Sequence, residues 1–100
     1  MLIGMAVRKQ MTLNQAFGIA LKRFRAERGL TQEELAHGAD LALTSVGRME
    51  IGAQGIRLDT VLRLAFALGI SGATLVGECE RIMKRVPSPS VDPAKSRVSQ

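Results

Sequence analysis

The chain contains no tryptophan and no tyrosine, and its three aromatic residues are Phe17, Phe24 and Phe66. Modules that grip RNA or single-stranded nucleic acid stack bases on aromatic rings, so this scarcity argues against them and leaves duplex DNA as the better nucleic-acid candidate. Cysteine and histidine occur once each. Cys79 alone cannot close an internal disulfide, and Cys79 with His37 cannot assemble a structural zinc site, so no metal and no cofactor are expected. The simplest readings are a buried small apolar residue for Cys79 and an exposed helix residue for His37. Long hydrophobic runs are missing too. The opening MLIGMAV is too short for a secretory core and its cations, Arg8 and Lys9, follow it, while no run approaches the roughly 18 apolar residues needed to span a bilayer. A reduced, cytoplasmic setting without membrane contact is the expectation. Catalytic groupings are equally scarce: no nucleophile paired with a base, no phosphate-binding glycine loop and no metal-ligand spacing. No catalytic residue and no small-molecule substrate are therefore expected.

What the chain does have is apolar material and helix punctuation. At 100 residues, 46% of them hydrophobic, it suits one domain with a modest core. The net charge of +5 suggests a polyanionic partner. Its distribution tempers that, because the stretch from Thr12 to Val86 holds ten basic and eight acidic residues and the remaining excess lies in the flanks. The placement of individual cations matters more than their sum.

Five helices are legible. Thr12 with Gln15 has the form of a capping box, and Phe17, Leu21 and Phe24 then recur at helical spacing until Gly29, which gives helix 1 from about Leu13 to Arg28. Thr31 with Glu34 is a second capping box and opens helix 2, about Gln32 to Gly38. Ala39, Asp40 and Leu41 form a turn, and helix 3 follows from about Ala42 to Glu50. Leu58, Val61, Leu62, Ala65 and Leu68 share a face of helix 4, which Gly69 ends. Ser71 can cap helix 5, reaching about Arg85. The segment 1–11 reads as a flexible start, the domain as 12–86, and PSPSVDPAKSRVSQ at 87–100 as a disordered basic tail.

Helices 2 and 3 carry the strongest pattern. Small Ala36 sits where two short helices can nearly touch, Asp40 tolerates a left-handed turn, and Leu35, Ala39, Leu41, Val46 and Met49 fall where crossed helices share a core. These are the needs of a helix-turn-helix. The phrases LKRFRAERGLTQEELA, SVGRMEIG and LDTVLRLAFALGIS, spanning about Asn14 to Val76, resemble the phage repressor, Cro and xenobiotic-response-element family.

That resemblance implies an all-α, five-helix, lambda-repressor-like DNA-binding domain with its helix-turn-helix at helices 2 and 3. It also implies a sequence-specific double-stranded DNA-binding regulator, expected to be a dimeric repressor associated with the nucleoid. Gln32 matches a glutamine that binds a DNA phosphate, and Arg25 and Glu50 match a structural ion pair. Ala42, Leu43, Thr44 and Arg48, with Ser45 and Gly47 nearby, match the groove-facing part of helix 3. Arg48 is the leading base reader, because a guanidinium can bond both acceptors of a guanine edge.

Where relatives carry Ser, Gln, Arg or Asn, this chain has Ala42, Leu43 and Gly47, which leaves little for direct readout. Specificity then falls to few contacts or to DNA shape. A protein-binding module, such as an antitoxin or an adaptor, is the alternative, with a toxin or other protein antagonist as partner. The apolar stripe Leu75, Val76, Cys79, Ile82 and Met83 on helix 5, with Phe66 on helix 4, is expected at a homodimer interface, since a domain this small is short of material to cover so long a helix.

Overall fold

Two threonines start the first two helices by the same device. Thr12 Oγ1 accepts from the Gln15 N–H at 3.1 Å while Gln15 Oε1 accepts from the Thr12 N–H at 3.0 Å. Thr31 and Glu34 repeat the exchange at 3.0 and 2.9 Å. Each box satisfies two N–H groups that a helix start would otherwise leave open. The computed structural model describes residues 11–85, and within them α1 spans Leu13–Glu27, α2 Gln32–Ala39, α3 Leu43–Glu50, α4 Leu58–Leu68 and α5 Gly72–Arg85. No strand occurs among the described residues. Ser71 Oγ accepts from the Thr74 N–H at 3.0 Å and so caps α5. The expected flexible start, apart from Met11, and the expected basic tail lie outside the described residues.

The core is a single cluster drawn from all five helices. Leu21, Leu35, Val46, Met49, Leu64, Leu68 and Leu75 are its largest enclosed side chains. Each such leucine contributes about 1.5–3 kcal/mol of burial, the dominant favourable term for a domain of this size. α1 is the scaffold, packing against both α3 and α5, while α2 packs against α3 and α4.

Most of the helix 5 stripe faces the core of its own chain and not a partner. Leu75, Cys79 and Ile82 are only 0, 2 and 6% exposed within one chain. α1 lies along α5 and covers them, so these three residues are not free to meet a partner. Phe66 at 84% and Met83 at 37% do stay exposed. Burial also pushes the Cys79 thiol up to about 11, which keeps it protonated and unreactive at neutral pH.

One acidic residue ties α5 to α1. Glu78 is nearly buried and takes a hydrogen bond from Arg81 at 3.0 Å and another from Arg23 of α1. The Arg81 bond, aided by the charges of Arg81, Arg23 and Arg85, holds the Glu78 carboxyl below its usual value of 4.5 despite partial desolvation. The fold therefore favours its ionised form, so this contribution is fully present above pH ~4.5 and is lost as pH falls through the lower native value. Glu78→Gln should lower stability at pH 7 and flatten the acid limb of the stability curve. Urea midpoints measured from pH 7 to pH 3 test this, and an unchanged acid limb would assign the limb to other carboxylates.

Candidate nucleic-acid interface

The α2–α3 unit is built around one left-handed residue. Asp40 closes α2 at φ 57° and ψ 50°, its N–H donating to His37 O at 3.2 Å, and the Leu41 N–H returns to Ala36 O at 2.9 Å. A short polar side chain accepts this conformation at a smaller penalty than most. Arg63 of α4 braces the same turn by donating to Asp40 O at 3.3 Å. Ala36, 3% exposed, occupies the crossing, where a larger side chain would separate the helices.

From that turn, α3 buries one face and presents the other. Val46, Met49 and Glu50 point inward, whereas Ala42, Leu43, Thr44 and Arg48 are exposed and Ser45 and Gly47 are half-buried. Ala42 is the N-cap and supplies no side-chain cap, so the first-turn N–H groups of α3 keep no side-chain partner. A Cβ added at Gly47 would meet nothing nearer than Gln32 Oε1 at 3.9 Å. The outward face is thus shallow, open and sparing in hydrogen-bonding groups, with Thr44 and Arg48 as its main polar ones.

The inward end of α3 is clamped. Arg25 Nε donates to Glu50 Oε2 at 2.5 Å and its Nη2 to Glu50 Oε1 at 3.1 Å, while its Nη1 donates to Leu30 O at 2.8 Å. The planar guanidinium thereby joins α1, the α1–α2 loop and the end of α3. The bond to Glu50 outweighs desolvation and raises the Arg25 pKa. Gln32, expected to meet a phosphate, gives its amide N–H to Glu50 Oε1 at 2.9 Å, which pins the start of α2 to the end of α3. The structure brings Arg25, Gln32 and Glu50 into one network and leaves Arg48 and Thr44 outside it.

Gly18 is the positioning residue that sequence reasoning passed over. A Cβ there would lie 2.5 Å from both Met49 O and Glu50 O, so the last carbonyls of α3 rest directly on the α1 backbone. A glycine inside an otherwise regular helix is the signal that marks such an approach. Gly52 makes the next contact: at φ 74° it needs the left-handed freedom of glycine, and an added Cβ would come within 3.0 Å of Gln15 Cα.

The helix-turn-helix domain family matches residues 16–76. The cryptic phage CTXphi transcriptional repressor RstR of Vibrio cholerae is 36% identical over 64 residues, which are 64% of this chain and 58% of that protein. The chain therefore matches less than two thirds of that curated relative's length. The crystal structure of the clp gene regulator ClgR from Corynebacterium glutamicum aligns with a TM-score of 0.73 at 29% identity, covering 76% of this chain and 81% of that one. The restriction-modification controller protein C.AhdI from Aeromonas hydrophila aligns with a TM-score of 0.61 at 37% identity, covering 62% and 94%.

Proposed function

Because the chain belongs to the helix-turn-helix domain family, we propose that it is a sequence-specific duplex-DNA-binding transcription regulator, a dimeric repressor that inserts α3 into the major groove. The carrying observation is the pairing of an open outward face on α3 with a rigid inward one. Arg48 and Thr44 stand free while Glu50, two residues beyond Arg48, is locked to α1 and α2. A reading helix needs both properties, because base discrimination depends on holding side chains at a fixed depth and angle. The likeness to the transcriptional repressor RstR, the clp gene regulator ClgR and the restriction-modification controller protein C.AhdI supports the same class of activity.

In this mechanism Arg48 bonds a guanine edge, Thr44 and Leu43 meet base edges or a thymine methyl, and Ser45, Gly47 and Ala42 allow close approach. The uncapped start of α3 and the N-terminus of α2 at Gln32 face phosphate oxygens. A two-fold pair of such helices spans successive major grooves, about 34–36 Å apart. Among the described residues no single helix is long and apolar enough to cross a membrane, and no group of three or more metal-ligating side chains occurs there. A cytoplasmic, nucleoid-associated place of action belongs to this proposal.

Selection of bound fragments from a random duplex library, followed by mobility shifts at rising salt, tests the proposal. Affinity should fall steeply with salt, because phosphate neutralisation releases counterions. Arg48→Ala should lose about 1–3 kcal/mol of discrimination at one base position. Gln32→Ala should weaken all sites more evenly. Absence of salt-sensitive binding to any duplex would overturn the proposal. One observation favours a second reading: Leu43 is 48% exposed on the outward face of α3, which suits a protein partner such as a toxin. Stable capture of one partner protein with no DNA binding would select it.

A further inference from the structure

The residues upstream of α1 carry an apolar pattern, and the domain has a surface to match it. Six of the first seven residues, MLIGMAV, have apolar side chains, an unusual makeup for a segment left in solvent. In extended chain alternate side chains share a face. Ile3, Met5, Val7, Lys9 and Met11 then fall on one side, and the small or polar Gly4, Ala6, Arg8 and Gln10 on the other. Met11 is where this row enters the described residues, and there it is half-buried and packed against the core.

Met11 also lines a groove. With Gln15 and Ile19 of α1, and Glu50 and Ile51 at the end of α3, it bounds a space of about 300 Å³. Ile19 is 39% and Ile51 75% exposed. The polar groups of the groove are already engaged, Gln15 Oε1 in the Thr12 capping box and Glu50 by Arg25 and Gln32. What remains on offer is apolar surface. We infer that residues 3–9 fold back from Met11 in extended form and fill this groove, covering Ile19 and Ile51 with Val7 and Met5, in place of the flexible start that a terminal position suggests.

Length, charge and area favour this occupant. Four extended residues, from Met11 back to Val7, span about 13 Å, and Ile19 lies two turns along α1, about 11 Å from its start. An antiparallel return along the helix therefore brings Val7 level with Ile19. Lys9, on the inward side between them, comes to the carbonyl end of α3, where the helix dipole favours a cation. Duplex DNA does not suit the groove, because among the described residues no cation lines it. A second copy would find too little there, since two exposed isoleucines fall far short of the roughly 800 Å² per partner of a standard interface. A segment seated in the groove adds a third restraint, beside Gly18 and the Arg25–Glu50 pair, on the end of α3.

Because the chain has no tryptophan or tyrosine, Met5→Trp makes a lone fluorescent reporter in the full-length protein. Its emission should lie to the blue of the urea-unfolded state, and Ile51→Ser in the same background should return it toward the red. Without the reporter, Val7→Ser and Ile51→Ser should each raise the unfolding equilibrium constant about tenfold, the scale of uncovering one aliphatic side chain. The double variant should add little to either, because both remove the same contact. A solvated side chain at either position would change that constant by about twofold at most. A reporter as red as in the unfolded chain, or Val7→Ser and Ile51→Ser effects within that twofold, would overturn the inference. So would a blue shift that grows with protein concentration, which would place the segment in the groove of another molecule. None of these readouts involves DNA, so a failure of the repressor reading would leave them unchanged.

Discussion

Replacing Gly18 by alanine is expected to destabilise the domain by about 2 kcal/mol, although the same change in an ordinary helix would stabilise it by about 1 kcal/mol. Two effects compete, and the structure decides between them. Alanine lowers the entropic cost of forming α1, but its methyl would stand 2.5 Å from the carbonyl oxygens of Met49 and Glu50. Those acceptors belong to backbone that Arg25 and Gln32 hold in place through Glu50. No flexible side chain can swing aside, so α3 must move as a unit, and overpacking of this kind costs about 1–3 kcal/mol and at times more. DNA affinity should fall further than stability does, because the displaced element is the reading helix itself. Urea unfolding reports the first effect and mobility shift the second. A Gly18→Ala protein as stable as wild type would show that the α1–α3 contact is looser than the carbonyl distances state.

Arg25→Ala is expected to cost about 3 kcal/mol, the scale found when one partner of a buried ion pair is removed. The Glu50 side chain is 3% exposed and that of Arg25 16%, so truncation would strand a carboxylate with Gln32 as its remaining partner. Leu30 O would lose its donor as well. Arg25→Lys should recover only part of the loss, because an ammonium cannot span both Glu50 oxygens and the Leu30 carbonyl with the fixed fork of a guanidinium. A double variant, Arg25→Met with Glu50→Leu, should be far less damaged than Arg25→Ala, since it removes both charges together. Equilibrium unfolding of the set checks this order. If Arg25→Ala lost less than about 1 kcal/mol, the pair would be behaving as a solvated surface bridge and not as a clamp.

Much of the fold was legible because its signals are local. Both capping boxes are written in residues three apart, Gly69 marks the end of α4, and the apolar period of α1 places its buried face at Phe17 and Leu21. Helix ends shifted by a residue: Arg28 caps α1, α2 continues to Ala39, and Ala42 serves as the N-cap of α3. What the sequence hid was non-local. The α5 stripe looked too long to cover because nothing in its spacing announces that α1 lies along it. Likewise, the depth of Gly18 depends on where α3 ends in space, and the Glu78 link joins residues 55 positions apart. On α4 the pattern misled: Leu58 and Leu62 read as members of the shared apolar face, yet they are 73 and 54% exposed.

In the proposed mechanism the double helix meets the outward face of α3 together with the N-terminus of α2 at Gln32, and neither α4 nor α5. Titrating ¹⁵N-labelled protein with a selected duplex and following backbone amide shifts tests it most directly. The expected result is perturbation concentrated at Gln32 and from Ala42 to Arg48, fading at higher salt. Shifts centred on α4 or α5, with Leu43, Thr44 and Arg48 undisturbed, would contradict it.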